Sequence, residues 1–180
     1  MNALKLQRTG IKTALLTLLI GSLLYFVYYQ TLNDILIYLL YFFVFIACAI
    51  NLIVLLRIIT YTQKHKRGKK AMYGVAALLV VALLASLVFF KLTSNLADTM
   101  QITLVNRTSN QLSSVRITGC KKIRLNTLAP GEEKTVWVRI KRDCSLELSY
   151  NDGGQLKNEI ISAYVTTSMG KKITYPIGAR

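Results

Sequence analysis

The chain has 180 residues, 53% of them hydrophobic and 17% charged, with 23 Lys and Arg against 8 Asp and Glu and a formal net charge of +15. That composition agrees with a membrane protein, and a single histidine leaves little for histidine-based or metal-centred catalysis. The basic excess matches nucleic-acid binders only in number, because much of it flanks apolar segments, where it orients a membrane protein.

Three apolar runs occupy residues 13–29, 35–56 and 72–90. Each is close to the ~20 residues a helix needs to cross the hydrocarbon core. The first lacks a small-residue cleavage site at its end, Tyr25-Phe26-Val27-Tyr28-Tyr29, and is expected to stay as a span. Lys5, Arg8 and Lys12 precede it. Arg57, Lys64, Lys66, Arg67, Lys69 and Lys70 lie between the second and third runs, whereas the link at 30–34 has no basic residue and only Lys91 directly follows the third. Basic residues beside spans stay on the cytoplasmic side. This predicts a cytoplasmic N-terminus, three transmembrane helices over 1–91 and an exterior tail over 92–180. In a bacterial cell that is a multi-pass inner-membrane protein with a periplasmic C-terminal domain. Tyr25, Tyr28, Tyr29, Tyr38 and Tyr41 fall where an outer aromatic belt is expected.

No Asp, Glu, Lys or His interrupts the centres of the three runs, which argues against a proton or ion pathway. The candidate helix-contact residues are Gly21, Ser22, Asn51 and Ser86, small or polar types that let helices approach or hydrogen-bond. Asn51 would bond either within the bundle or to a partner helix.

From Met100 the pattern changes to period two. Ile102/Leu104, Val115/Ile117, Ile123/Leu125, Val136/Val138/Ile140 and Leu146/Leu148/Tyr150 alternate with polar neighbours, and Ile161/Tyr164 and Ile173/Tyr175 follow. Turn chemistry separates them at Ser109-Asn110, Ala129-Pro130-Gly131-Glu132, Asn151-Asp152-Gly153-Gly154 and Met169-Gly170. About seven short strands in this length predict a small antiparallel β-sandwich. Cys120 and Cys144 lie at predicted strand edges in this exterior half and are expected to form a disulfide.

Leu128-Ala129-Pro130-Gly131-Glu132, an apolar-Pro-Gly-Glu turn, precedes the strand Thr135-Val136-Trp137-Val138. With the strand rhythm, this resembles the immunoglobulin-like β-sandwich modules of bacterial envelope proteins. Trp137 lies between the two cysteines, but at a spacing too short for the Trp-and-disulfide pattern of antibody domains. The membrane half resembles no particular family.

No catalytic, cofactor-binding or metal-ligating set stands out. Glu132-Glu133 and Asp152 read as turn residues. Residues 92–180 carry 13 basic and 7 acidic side chains. Arg116, Arg124, Trp137, Arg139 and Lys141 form the candidate exterior interaction face, because all five are expected outside the core. Anionic lipid headgroups are one partner such a surface suits. The pattern predicts a non-enzymatic accessory or subunit protein. Its helices would dock partner helices and its exterior sandwich would bind a membrane or envelope protein. An alternative is an immunity protein that neutralises a membrane- or periplasm-acting toxin. No cofactor and no nucleic acid enters either reading.

Overall fold

The computed structural model describes residues 3–64 and 69–178, and the chain divides into two compact units, Met1–Thr93 and Ser94–Arg180. The division falls two residues beyond the expected boundary, because the third helix stays helical past the end of its apolar run. Lys66 and Arg67 lie outside the described residues, and only the backbone of Lys69 is described.

The first unit is built from α1 (Ala3–Thr31), α2 (Asp34–Lys64) and α3 (Lys69–Ala97). The protein is a membrane protein: all three helices are long and apolar enough to span a bilayer. At 1.5 Å per residue, the 31 residues of α2 extend about 46 Å. That exceeds the ~30 Å hydrocarbon core and leaves room for tilt. The link between α1 and α2 is only Leu32 and Asn33. Leu32 takes a positive φ of 48°, and its N–H closes on the Tyr28 carbonyl at 2.8 Å. Asn33 then caps α2, its Oδ1 accepting from the Ile35 N–H at 2.8 Å.

Buried positions recur mostly at spacings of three and four along the helices. In α2 they are Leu40, Val44, Ala47, Asn51, Val54, Ile58 and Thr62. In α3 the series runs Met72, Val75, Leu79, Ala82 and Ser86. This heptad seam is the geometry of left-handed helix packing. α1 brings Gly10, Ala14, Thr17 and Gly21 to the seam, and the small side chains allow close approach. A Cβ on Gly10 would lie 2.4 Å from Val75 Cγ1, and one on Gly21 would lie 2.8 Å from the Phe89 ring. Large apolar residues such as Leu19, Phe26, Phe42, Phe45 and Leu87 face outward. Their exposure suits lipid as the solvent.

The second unit contains seven strands: β1 (Thr99–Asn106), β2 (Leu112–Gly119), β3 (Ile123–Leu128), β4 (Glu133–Arg139), β5 (Cys144–Asp152), β6 (Gln155–Val165) and β7 (Lys172–Ile177). They form two sheets, ordered β4-β1-β7 and β3-β2-β5-β6. One core lies between them, with Ile102, Leu104 and Val138 from the first sheet and Ile117, Leu146 and Leu148 from the second. The β-sandwich expected from the alternation is present. All strand pairs are antiparallel except β1 with β7, which run parallel. Pro176 is tolerated in β7 because β7 is an edge strand.

β2 does not alternate strictly. Leu112, Val115 and Ile117 all point inward. Ser114, with φ 53°, is the extra residue between the first two. The bulge shifts the phase so that a three-residue step keeps both ends in the core. β6 carries similar shifts opposite Leu146. This explains why Tyr164, read as part of an inward rhythm, is exposed.

Cys120 and Cys144 are disulfide-bonded. They join the end of β2 to the start of β5, neighbours within one sheet. The bridge therefore staples a strand pair instead of tying the two sheets together.

Candidate functional site

In the membrane unit the polar centre is Asn51. It is fully buried, and its Nδ2 donates to Thr17 Oγ1 and to the Ala47 carbonyl, both at 2.8 Å. Its Oδ1 has no hydrogen-bond partner among the described residues. Asn51 thus faces the bundle and links α2 to α1, which decides between the two readings of its sequence position. Gly21 and Ser86 are also buried, with the Ser86 hydroxyl donating to the Ala82 carbonyl at 2.9 Å. Ser22 is exposed and bonds back to the Leu18 carbonyl. It makes no seam contact, because one residue along a helix is a 100° turn away from Gly21. Tyr28 is likewise buried in the bundle, at 2% exposure, and does not join the expected aromatic belt.

Of the topology-setting residues, Lys5, Arg8, Lys12 and Lys64 are exposed on their helices, as is Lys70. Lys66 and Arg67 lie outside the described residues.

In the β-domain the structure divides the candidate interaction face. Trp137 and Arg139 project from the outer side of β4, on the three-stranded sheet. Arg116 and Arg124 are paired across β2 and β3 on the four-stranded sheet. These are the two opposite outer faces of the sandwich, so the five residues do not form one surface. Lys141 lies in the loop after β4 and is exposed.

The outer face of the three-stranded sheet is laid out in cross-strand rows. Trp137 stands opposite Gln101, which stands opposite Lys172. Next to this row is a row of three threonines, Thr135, Thr103 and Thr174, in which the Thr103 and Thr135 hydroxyls are 2.9 Å apart. On the other side Arg139 stands opposite Thr99, with its Nη2 donating to Asn95 Oδ1 at 2.9 Å. The arrangement is a hydrogen-bonding sheet face with an indole at 36% exposure.

The carboxylates hold loops. Glu132 Oε2 accepts from the Ala129 N–H at 2.7 Å across the Pro-Gly turn. That bond, helped by Lys134, lowers its pKa. Asp143 accepts from the hydroxyls of Thr166, at 2.5 Å, and Tyr164, at 3.0 Å, and these hold its pKa down. Asp152 is lowered by its hydrogen bond from Lys157 and by that from Asn110.

Two polar features were not marked by sequence reasoning. Asn106 is fully buried. Its Nδ2 donates to the carbonyls of Asn110 and Leu128, and its Oδ1 accepts from the N–H and hydroxyl of Thr108. It pins the β1–β2 turn against the end of β3. Glu159 accepts hydrogen bonds from the Tyr150 hydroxyl at 2.5 Å and the Tyr175 hydroxyl at 2.8 Å. Tyr175 is in β7 and Tyr150 in β5, so this carboxylate closes the gap between the two sheets. Burial first, and then the bond to Glu159, raises the Tyr150 pKa. Among the described residues, no group of three or more His, Cys, Asp or Glu is placed to hold a metal ion.

No family model and no curated protein matches the chain. An NMR structure of a protein from Eubacterium rectale is similar over 44% of this chain and 77% of its own, with 17% identity and a TM-score of 0.37.

Proposed function

We propose that this protein is a non-enzymatic accessory or subunit of a membrane complex. Its three helices dock partner helices, and its β-sandwich, exterior and periplasmic by the distribution of flanking charge, binds an envelope protein. The observation that carries the reading is the outer face of the three-stranded sheet. There Trp137, Gln101 and Lys172 form one row beside Arg139. Trp and Arg dominate interface hot spots because they combine large contact area with directed polar groups. A sheet face lets several such groups engage one partner at once. Two of the five residues of the earlier candidate face, Arg116 and Arg124, belong to the other sheet and are left out of this site.

The test is affinity purification of the tagged protein from its native membrane in mild detergent, alongside Trp137→Ala/Arg139→Ala. We expect a stoichiometric protein partner that is lost, or at least tenfold depleted, in the double variant, as losing about 1.4 kcal/mol or more implies. A solitary protein, or a partner retained in full by the variant, overturns the proposal. A secreted, toxin-like partner would move the reading to immunity.

A further inference from the structure

The strand order fixes which loops share an end of the β-domain. β1 follows directly on the last turn of α3, so its first residue, Thr99, marks the end where the chain enters. β4 is antiparallel to β1 and finishes at this end, while parallel β7 starts there. In the other sheet β2 finishes there, β3 and β5 start there, and β6 returns to it. Three loops therefore meet at the entry end: β2–β3, β4–β5 and β6–β7. They carry Lys121 and Lys122, Lys141 and Arg142, and Lys171, all exposed. The adjoining strand ends add Arg139 and Lys172, and the nearby cross-strand pair adds Arg116 and Arg124.

Charge is consequently segregated along the domain. The entry half holds these nine basic residues against the four acids Asp98, Asp143, Glu147 and Glu159, the last level with Ile117 across β5. The far half of the described domain holds Arg107, Lys134 and Lys157 against Glu132, Glu133 and Asp152. The net values are +5 and 0. Among the described residues, the ion pairs Lys134–Glu132 and Lys157–Asp152 both belong to the far half. At the entry end Asp143 is occupied by the hydroxyls of Thr166 and Tyr164, and Asp98 Oδ1 accepts from the Ser168 N–H at 3.0 Å. Nothing about a β-sandwich requires such segregation. Solubility alone would be served equally well by an even distribution of charge.

Chain connectivity says what this end meets. Thr99 is nine residues beyond Phe90, the last residue of the third apolar run. Even fully extended, nine residues reach only about 30 Å. Along the chain this end is the part of the β-domain nearest the last apolar run, so a bilayer surface lies within its covalent reach. We infer that the entry end of the β-domain is a docking surface for anionic phospholipid headgroups. It is contacted through Lys121, Lys122, Lys141, Arg142 and Lys171. The inference does not rest on the protein partner proposed above. It holds on either side of the membrane, because it uses only the tether and the charge. Each Lys or Arg at an anionic surface contributes about 1 kcal/mol, falling off within a Debye length.

The experiment uses the full chain in nanodiscs of phosphatidylcholine, with and without phosphatidylglycerol. Lysines are acylated with an uncharged reagent and the rate at each is read by mass spectrometry. We expect Lys121, Lys122, Lys141 and Lys171 to react about threefold or more slowly in the anionic discs. Lys134 and Lys157 should be unchanged. The protection should vanish in about 1 M salt, where screening reaches ~3 Å. Lys141→Glu/Arg142→Glu should also weaken protection of the remaining three. Equal rates in both lipids overturn the proposal. So does equal slowing at both ends, which would mean a general surface potential acting without contact. The comparison of lipids on the unmodified chain decides the matter even if the variant does not fold.

Discussion

Asn51 is the residue on which the reading of the membrane half turns. An amide in a span serves either the bundle or something outside it, and here its Nδ2 bonds Thr17 across the α1–α2 seam. The same side chain leaves Oδ1 buried without a partner among the described residues. These facts predict unequal costs for two substitutions. Thr17→Val removes the acceptor and keeps the whole buried amide, which retains only its bond to the Ala47 carbonyl. Asn51→Leu removes the bond together with the unsatisfied oxygen, at similar volume. Leaving a buried polar group unpaired costs more than removing both the group and its bond. Interhelical hydrogen bonds in membranes average about 0.6 kcal/mol and reach about 2. Thr17→Val should therefore lower stability in detergent by about 1 kcal/mol, and Asn51→Leu by less. Reversible unfolding in a mixed-micelle titration measures both. If Asn51→Leu proves the more damaging, the amide has a role beyond the α1–α2 contact. The sequence marked Asn51 by its polarity, but not its direction. The helices are apolar nearly all round, so no hydrophobic stripe shows where the seam runs. Gly21 and Ser22 illustrate this: adjacent in sequence and similar in size, one meets Phe89 and the other faces outward.

At the scale of elements, strands were legible wherever alternation was unbroken. Val136, Val138 and Ile140 all lie in the core with Trp137 and Arg139 outside. What alternation does not contain is strand order. It places Arg116 and Arg139 both outside the core, but a local period of two cannot say that β2 and β4 belong to different sheets. Glu159 was hidden for a related reason. Its partners are nine and sixteen residues away on β5 and β7, and β6 shifts register along its length. The disulfide was legible because both cysteines fall at strand ends in the half read as exterior. Its placement now permits a prediction. The bond joins β2 to β5 at a sequence separation of 24, where β2 and β5 are already neighbours. In the chain-entropy model, closing a loop of that length contributes roughly 3 kcal/mol. Gly119, beside Cys120, has φ 102°, and a Cβ there would fall 1.8 Å from the Ser145 carbonyl oxygen. The strand pair thus approaches too closely at this point for any other residue. Reduction, or Cys120→Ser/Cys144→Ser, should lower the denaturant midpoint of the β-domain by an amount equivalent to about 2–4 kcal/mol. The helical signal of the spans should be unaffected. An unchanged midpoint would mean that β2–β5 pairing alone sets the stability of that end.

Across the whole molecule, the proposed orientation of the chain rests first on charge. Three helices long enough to span follow from hydropathy. The proposed side of each end is argued from Lys5, Arg8 and Lys12 before the first apolar run and the cluster at 57–70 between the second and third runs. Two features fit the proposal that the β-domain is exterior, the first of them part of the same charge argument. The stretch 30–34 between the first two apolar runs carries Asp34 and no basic residue, as expected of a translocated turn. The Cys120–Cys144 bridge belongs in an oxidising space. One feature pulls the other way: the entry half of the β-domain is itself rich in Lys and Arg. The positive-inside rule weighs charge mainly within about 15–20 residues of a span. Lys121 and every basic residue after it lie beyond that window, counted from Phe90, while the charge at 57–70 lies inside it on both sides. The shorter-range charge should win. A reporter joined after Arg180 should therefore show an alkaline phosphatase to be active and a cytoplasm-dependent fluorescent protein to be dark. Neutralising Lys64, Lys66, Arg67, Lys69 and Lys70 together should produce a mixed orientation, because Lys121 and the residues beyond it then have no stronger competitor. An unmodified chain whose reporter is cytoplasmic would place the β-domain inside and remove the envelope partner from the proposal. The lipid-docking surface, which depends on the tether and not on the side, would remain to be tested unchanged.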